Sequence, residues 1–202
     1  MEYDFIIETY DTERIKTVSA WSMFKDEDLL MRPCTGDKHT RNVLEHMVHQ
    51  CVSENKWFHV MLGIDACESP LPTDEVRLEF IRQYAEDSGK RLAILKDKDK
   101  SWWEHEVSFF ETKRTPCWVM LRRIAHTAHH RGQLILMLKL FERDVYSIYG
   151  PSEDTGGLPQ NNASTIYPYA DITSLIKGES QGGTKAALPG SGDKPGTERP
   201  DV

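Results

Sequence analysis

The chain has 202 residues, 39% hydrophobic and 28% charged, with a formal net charge of -7. That length is enough for one domain with a real core plus an appendage, and the acidic charge argues against a nucleic-acid-binding surface, since phosphate neutralisation needs clustered Lys and Arg. No apolar run approaches the roughly 20 residues that span a bilayer. The start is acidic and no cysteine pair has CxxC spacing, so the expectation is a cytoplasmic protein with reduced thiols and neither nucleic acid nor membrane as partner.

Four helices are expected. The first runs from about Asp11 to Phe24, with Ile15, Val18 and Trp21 three apart on one side. Arg32 to Asp37 reads as a turn region. The second helix starts at Thr40 as N-cap and runs to Leu62, where Gly63 stops it. Thr73 caps the third, Asp74 to about Leu95, with acids in its first turn. A crossover from Lys96 to Lys113 carries Trp102 and Trp103 and a short β-like run, Val107 to Phe110. Thr115 and Pro116 supply a cap and a first-position proline for the fourth helix, which continues to about Phe141.

This order predicts an all-α protein, a four-helix bundle with one longish connection and an extended C-terminal tail. Residues 1–143 form the bundle. Residues 144–177 form an extension packed on it, with a short helix near Asp171 to Ile176. From Gly178 to the end, Gly, Ser, Pro, Lys and Glu dominate, and disorder is expected.

The chemistry concentrates in His126-Thr-Ala-His129-His130-Arg131-Gly132-Gln133. His126 and His130 are spaced i, i+4, which sets both rings on one helix face. With Val43 of the second helix at zero and ~100° per residue, Leu44, Met47, Cys51, Phe58 and Met61 cluster near roughly 50–60°. His46 falls near roughly 300°, beside Gln50, Glu54 and Trp57, and His49 near roughly 240°, opposite the stripe. His46 is therefore the preferred third ring, and His49 a rim residue. One inward histidine is explained by a hydrogen bond to Glu54, Gln50 or Gln133. An i, i+4 pair facing a third ring from another helix asks for a shared explanation, and a metal held by neutral imidazoles supplies it.

Two stretches resemble the DinB-like family, the group of metal-dependent enzymes that includes the YfiT-type proteins. Thr40-Arg-Asn-Val-Leu-Glu-His46-Met-Val looks like the family's first-histidine helix. His126-Thr-Ala-His-His130-Arg-Gly-Gln133 is close to its His-x-x-His-His-Arg-Gly-Gln signature. The helix order, with a long crossover before the fourth helix, extends the resemblance over about residues 5 to 142. It implies an up-down-down-up four-helix bundle and a metal held by His46, His126 and His130. It makes Arg131 and Gly132 structural, Gly132 allowing close helix approach and Arg131 pointing away from the site. Gln133 on the site face would orient a ligand or bound water.

Three histidines add no protein charge and leave open positions on the ion, so bound water is acidified. The expected function is a hydrolase acting through metal-bound water. The alternatives are a thiol-dependent S-transferase or isomerase using a low-molecular-weight thiol, and a non-catalytic metal-binding stress-response protein. Zinc or nickel is the expected metal, with iron or manganese also compatible. Glu54 is the candidate general base or second acceptor behind the ligands, with a salt bridge to a neighbouring helix as its structural alternative. Cys51, about a turn and a half from His46, is the cysteine to watch. The substrate is expected to be a small molecule and the assembly a homodimer.

Overall fold

The computed structural model describes residues 2–34, 36–190, 192–194 and 197. It is mostly helical. Four long helices dominate: α1 (Asp4–Ser22), α2 (Val43–Lys56), α3 (Arg77–Lys96) and α5 (Pro116–Leu140), with short α4 (Lys100–Glu104) and α6 (Ile172–Ser180). α1 packs against α3 and α5, and α2 against α5 and α3. Two apolar clusters fill the interior. One is built around Trp21, Met47, Phe80, Tyr84 and Leu134, the other around Ile6, Phe58, Leu95, Trp103 and Met120.

Local chemistry explains most boundaries. α2 begins three residues after Thr40 because Asn42 and Glu45 form a reciprocal capping box, Asn42 Oδ1 accepting from the Glu45 N–H and Glu45 Oε2 from the Asn42 N–H. The helix continues through a π-helical turn, Trp57–Met61, and Gly63 ends it at φ 64°, a conformation that glycine adopts without strain. α3 starts later than expected, at Arg77, and Thr73 does not cap it; Val76 takes the N-cap position in extended backbone. α5 starts as expected, with Thr115 Oγ1 accepting from the Trp118 N–H and Pro116 at the first position. α1 starts seven residues before the expected Asp11, because Ile6, Ile7 and Tyr10 are buried too.

The crossover holds more structure than the β-like run suggested. β1 (Val107–Phe109) pairs antiparallel with β2 (Thr112–Arg114). Trp103 stacks on Tyr3, ring centroids 5.5 Å apart, and meets Trp102 edge-on at 4.9 Å. Both tryptophans are crossover packing.

The C-terminal extension is tied back by named bonds. Arg143 donates to both Asp28 oxygens, at 2.8 and 3.0 Å. Ser147 and Ile166 pair through Ser147 N–H to the Ile166 carbonyl, 2.9 Å. α6, capped by Asp171, packs on α3 and α1, and its Glu179 accepts from Arg77. Disorder is expected from Gly178, yet residues 178–190 make defined contacts. Tyr146 donates to the Ala186 carbonyl at 2.5 Å, and the Gly190 N–H to the Asp154 carbonyl at 2.8 Å. Positions 191, 195, 196 and 198–202 of that expected tail lie outside the described residues.

Candidate metal centre

α5 supplies two histidines and α2 a third. His126 and His130 project from one face of α5, their Nε2 atoms 3.3 Å apart. The His49 Nε2 lies 3.0 Å from the His130 Nε2. These three rings offer nitrogen atoms all within 4.8 Å of one another, the one such group of metal-ligating side chains among the described residues. The third ring is thus His49 rather than the expected His46. His46 sits beside the group, its ring centroid 5.8 Å from that of His130.

The reason lies in how the two helices meet. α5 shares a core cluster with Met47 and Cys51 of the α2 stripe, and it also meets the polar edge of α2, where Arg123 of α5 donates to Ser53 Oγ at 2.8 Å. Ser53 lies near roughly 280° on the α2 wheel, between His46 and His49. A residue opposite the apolar stripe can therefore still face a neighbouring helix.

The environment keeps these imidazoles neutral. Burial, followed by the charges of Arg123 and the neighbouring histidines, pushes His126 down to about 3. Burial and then Arg41 push His49 down to about 4, and burial and then His130 push His46 to about 4. His130 is lowered mainly by burial, against the opposing effect of Gln133. Gln133 Oε1 lies 2.8 Å from His130 Nδ1. As an acceptor it holds the ring proton on Nδ1 and leaves Nε2 as a bare lone pair. Gln133, expected on the site face, thus contacts one ring of the group.

Aromatic side chains wall one side. Trp57 stacks on His126, centroids 5.7 Å apart at 29°, and Phe109 of the hairpin meets Trp57 edge-on at 5.2 Å. The crossover thus reaches the site through two aromatic contacts. His129 is exposed, although its ring lies 5.0 Å from that of His130.

Glu54 occupies a different place from the one a general base needs. Its carboxylate accepts from Tyr10 at 2.7 Å, Tyr84 at 2.9 Å and Arg91 at 3.3 Å, and Arg123 Nε stands 3.6 Å away. Burial and then the Glu54 charge push both phenols well up, so they remain protonated donors. A carboxylate so engaged is a buried ion-pair centre rather than a base facing the histidines. Its partners lie 44, 30 and 37 residues away in sequence, so no local pattern marks them. Cys51 is 3% exposed in the apolar core, and burial pushes its thiol up, so it offers no thiolate here.

The remaining signature residues also resolve. Arg131 is buried and pairs with Glu13 of α1 and with Tyr149 of the extension, away from the histidines as expected. Gly132 is exposed, with nothing within 4 Å of where a Cβ would stand. It is not a close-approach position within this chain.

Comparison with known proteins gives one family. The DinB family model matches residues 6–160, running past the bundle into the extension. A DinB-like protein from Bacillus cereus ATCC 10987 has a TM-score of 0.62 at 15% identity, covering 71% of this chain and 95% of that one. A DinB-like protein from Bacillus subtilis has a TM-score of 0.57 at 17% identity, covering 71% and 96%. Likeness at these identities speaks for the fold. No curated protein matches. The mostly helical fold, the histidine group and the match over residues 6–160 together make this chain a member of the DinB family.

Proposed function

We propose that the protein is a metal-dependent enzyme, a hydrolase of a small-molecule substrate, with a divalent transition metal held by His49, His126 and His130. One observation carries the reading: three imidazole nitrogens converge, and hydrogen bonds among them alone cannot satisfy all three. His130 Nε2 faces both His49 and His126, at 3.0 and 3.3 Å, and a neutral Nε2 offers one lone pair in the ring plane. Two N–H donors cannot both be satisfied there, whereas one cation satisfies all three nitrogens. Nitrogen ligands about 2.0–2.1 Å from a tetrahedral ion sit about 3.3 Å apart, close to the spacings found. The residues present therefore suit the group.

When bound, such an ion supplies Lewis-acid chemistry and lowers the pKa of coordinated water toward neutrality. Imidazole donors favour zinc or nickel. The chain's own residues do the rest. Gln133 keeps the proton on His130 Nδ1. Trp57 and Phe109 exclude water from the His126 side. Glu54, Arg91 and Arg123 fix the helices that carry the rings. The four long helices then read as an up-down-down-up bundle around this group.

The test is elemental analysis of untagged protein purified without added metal. About one transition metal per chain is expected in the wild type, His46→Ala and His129→Ala, and its loss in His49→Ala, His126→Ala and His130→Ala. Loss in His46→Ala with retention in His49→Ala would move the third ligand back to His46. A metal-free wild type that also fails to take up zinc or nickel on reconstitution would overturn the reading.

A further inference from the structure

A cavity of about 330 Å³ adjoins the histidine group at the start of α2. His46 and Gln133 line it, and Gln133 is the residue that contacts His130. The cavity therefore opens directly beside a proposed ligand. Its other side is apolar, formed by Pro33, Leu136 and Met137, and Arg41 stands in its wall. A volume of this order suits a small organic molecule.

The charges here are unbalanced. No Asp or Glu lines the cavity among the described residues, in a chain whose net charge is -7. The nearest acid along the helix, Glu45, is already engaged. The Arg32 guanidinium takes both its oxygens, at 2.7 and 2.8 Å, and the Asn42 N–H donates to it at 2.9 Å. The Arg41 side chain, exposed at the cavity wall, has no ion pair or hydrogen bond among the described residues, and its charge also acts on Glu45. His46, 5% exposed, contributes an unsatisfied polar group, its Nδ1 buried with no hydrogen-bond partner among the described residues. The cap and first turn of α2 add partial positive charge from their N–H groups.

We propose that this cavity is the substrate subsite, that it takes the carboxylate of a small carboxylic acid, and that Arg41 is the residue that recognises it. The inference rests on the metal reading of the adjoining histidines for its catalytic meaning, though not for binding itself. A planar guanidinium matches a carboxylate through two parallel N–H donors. The basic side chains of the wall are Arg41, His39 and His46, and Arg41 alone carries a permanent charge, which matches the single charge of a carboxylate better than a phosphate dianion. Pro33, Leu136 and Met137 accommodate an apolar body. The substrate class that follows is an amphiphilic monocarboxylate whose scissile or reacting group lies toward the histidines. The site excludes amines, because the Arg41 charge and any bound metal repel them.

The test uses hexanoate as probe, with hexanamide and hexyl phosphate for comparison. Binding is followed by ligand-observed NMR, and metal content is measured on every sample. The proteins are wild type, Arg41→Gln, Arg41→Lys and His126→Ala. Expected are hexanoate binding to wild type, at least ten-fold weaker binding of hexanamide, and at least ten-fold weaker hexanoate binding to Arg41→Gln with metal content unchanged. Arg41→Lys should recover part of the affinity. His126→Ala, having lost the metal, should keep hexanoate binding, and a double variant carrying His126→Ala and Arg41→Gln should lose it. If wild type holds no metal but still binds hexanoate through Arg41, the metal reading falls and the carboxylate subsite stands. Equal hexanoate binding by wild type and Arg41→Gln overturns the subsite, as does no binding to metal-loaded wild type. Tighter Arg41-dependent binding of hexyl phosphate overturns the carboxylate class.

Discussion

Glu54→Gln separates a catalytic base from a structural ion. The substitution keeps shape and removes one charge. Arg91 and Arg123, with side chains 2% and 1% exposed, would be left facing an amide. Removing one partner of a buried pair costs about 3–5 kcal/mol, because the other charge stays buried and uncompensated. The amide oxygen can still accept from Tyr10, and the Tyr84 hydroxyl can turn to accept from the amide N–H, so the lower end, about 3 kcal/mol, is expected. For a chain of this size each kcal/mol lowers the melting temperature by roughly 2–4 °C, giving a fall of about 6–12 °C. Thermal unfolding by circular dichroism measures it, with metal content determined on the folded variant at low temperature. The expected result is a large drop in melting temperature with the metal retained. A melting temperature unchanged within about 2 °C would refute the buried-ion reasoning and return Glu54 to the role of base.

Other outcomes follow from the same geometry. Gln133→Leu removes the acceptor at His130 Nδ1, 2.8 Å away, and frees the ring to place its proton on Nε2. Chelator competition should show zinc affinity reduced about ten-fold or more, and an unchanged affinity would argue that the tautomer is set elsewhere. Acid should loosen α6. Burial raises the Glu179 carboxyl, but hydrogen bonds from Lys185, Tyr169 and Arg77 outweigh it and hold the pKa below the ordinary 4.5. A folded-state pKa below the unfolded one means stability that is present above about pH 4.5 and is lost as pH falls through the folded value. Urea unfolding from about pH 6 to pH 3 should steepen its loss of stability below that point in wild type, and less so in Glu179→Gln. Parallel curves for the two proteins would remove Glu179 from the acid response.

Much of the fold is legible in the sequence because its signals are local. Thr115 and Pro116 mark the start of α5, and Gly63 the end of α2, through backbone chemistry within a few residues. Asn42 was just as local, since its box with Glu45 follows the capping pattern; Thr40 competes with it only as another good cap residue. The candidate site divides along the same line. His126 and His130 are found because their relation is i, i+4 on one helix. His49 is misplaced by periodicity, because a helical wheel ranks residues against the apolar stripe, while polar groups meet along the seam between two helices. Glu54 reads as base or ion pair with equal ease until Tyr10, Tyr84 and Arg91 arrive from two other helices. The tail from Gly178 reads as disordered because its composition has few apolar residues, yet Tyr146 and Asp154 hold it by backbone carbonyls, which composition does not record.

Arg123 and Arg131 lie either side of the histidine pair on α5, one turned to Glu54 and the other to Glu13 and Tyr149. Tyr149 in turn donates to Glu13 at 2.7 Å. The helix is thereby pinned at two points like an axle in two bearings, and it cannot roll without drawing a guanidinium out of a buried carboxylate at each end. The bearing of His126 and His130 is thus set during folding, and little orientational freedom is left to lose when a ligand arrives. One bearing includes Tyr149 of the C-terminal extension, so the extension takes part in fixing the helix that carries the rings.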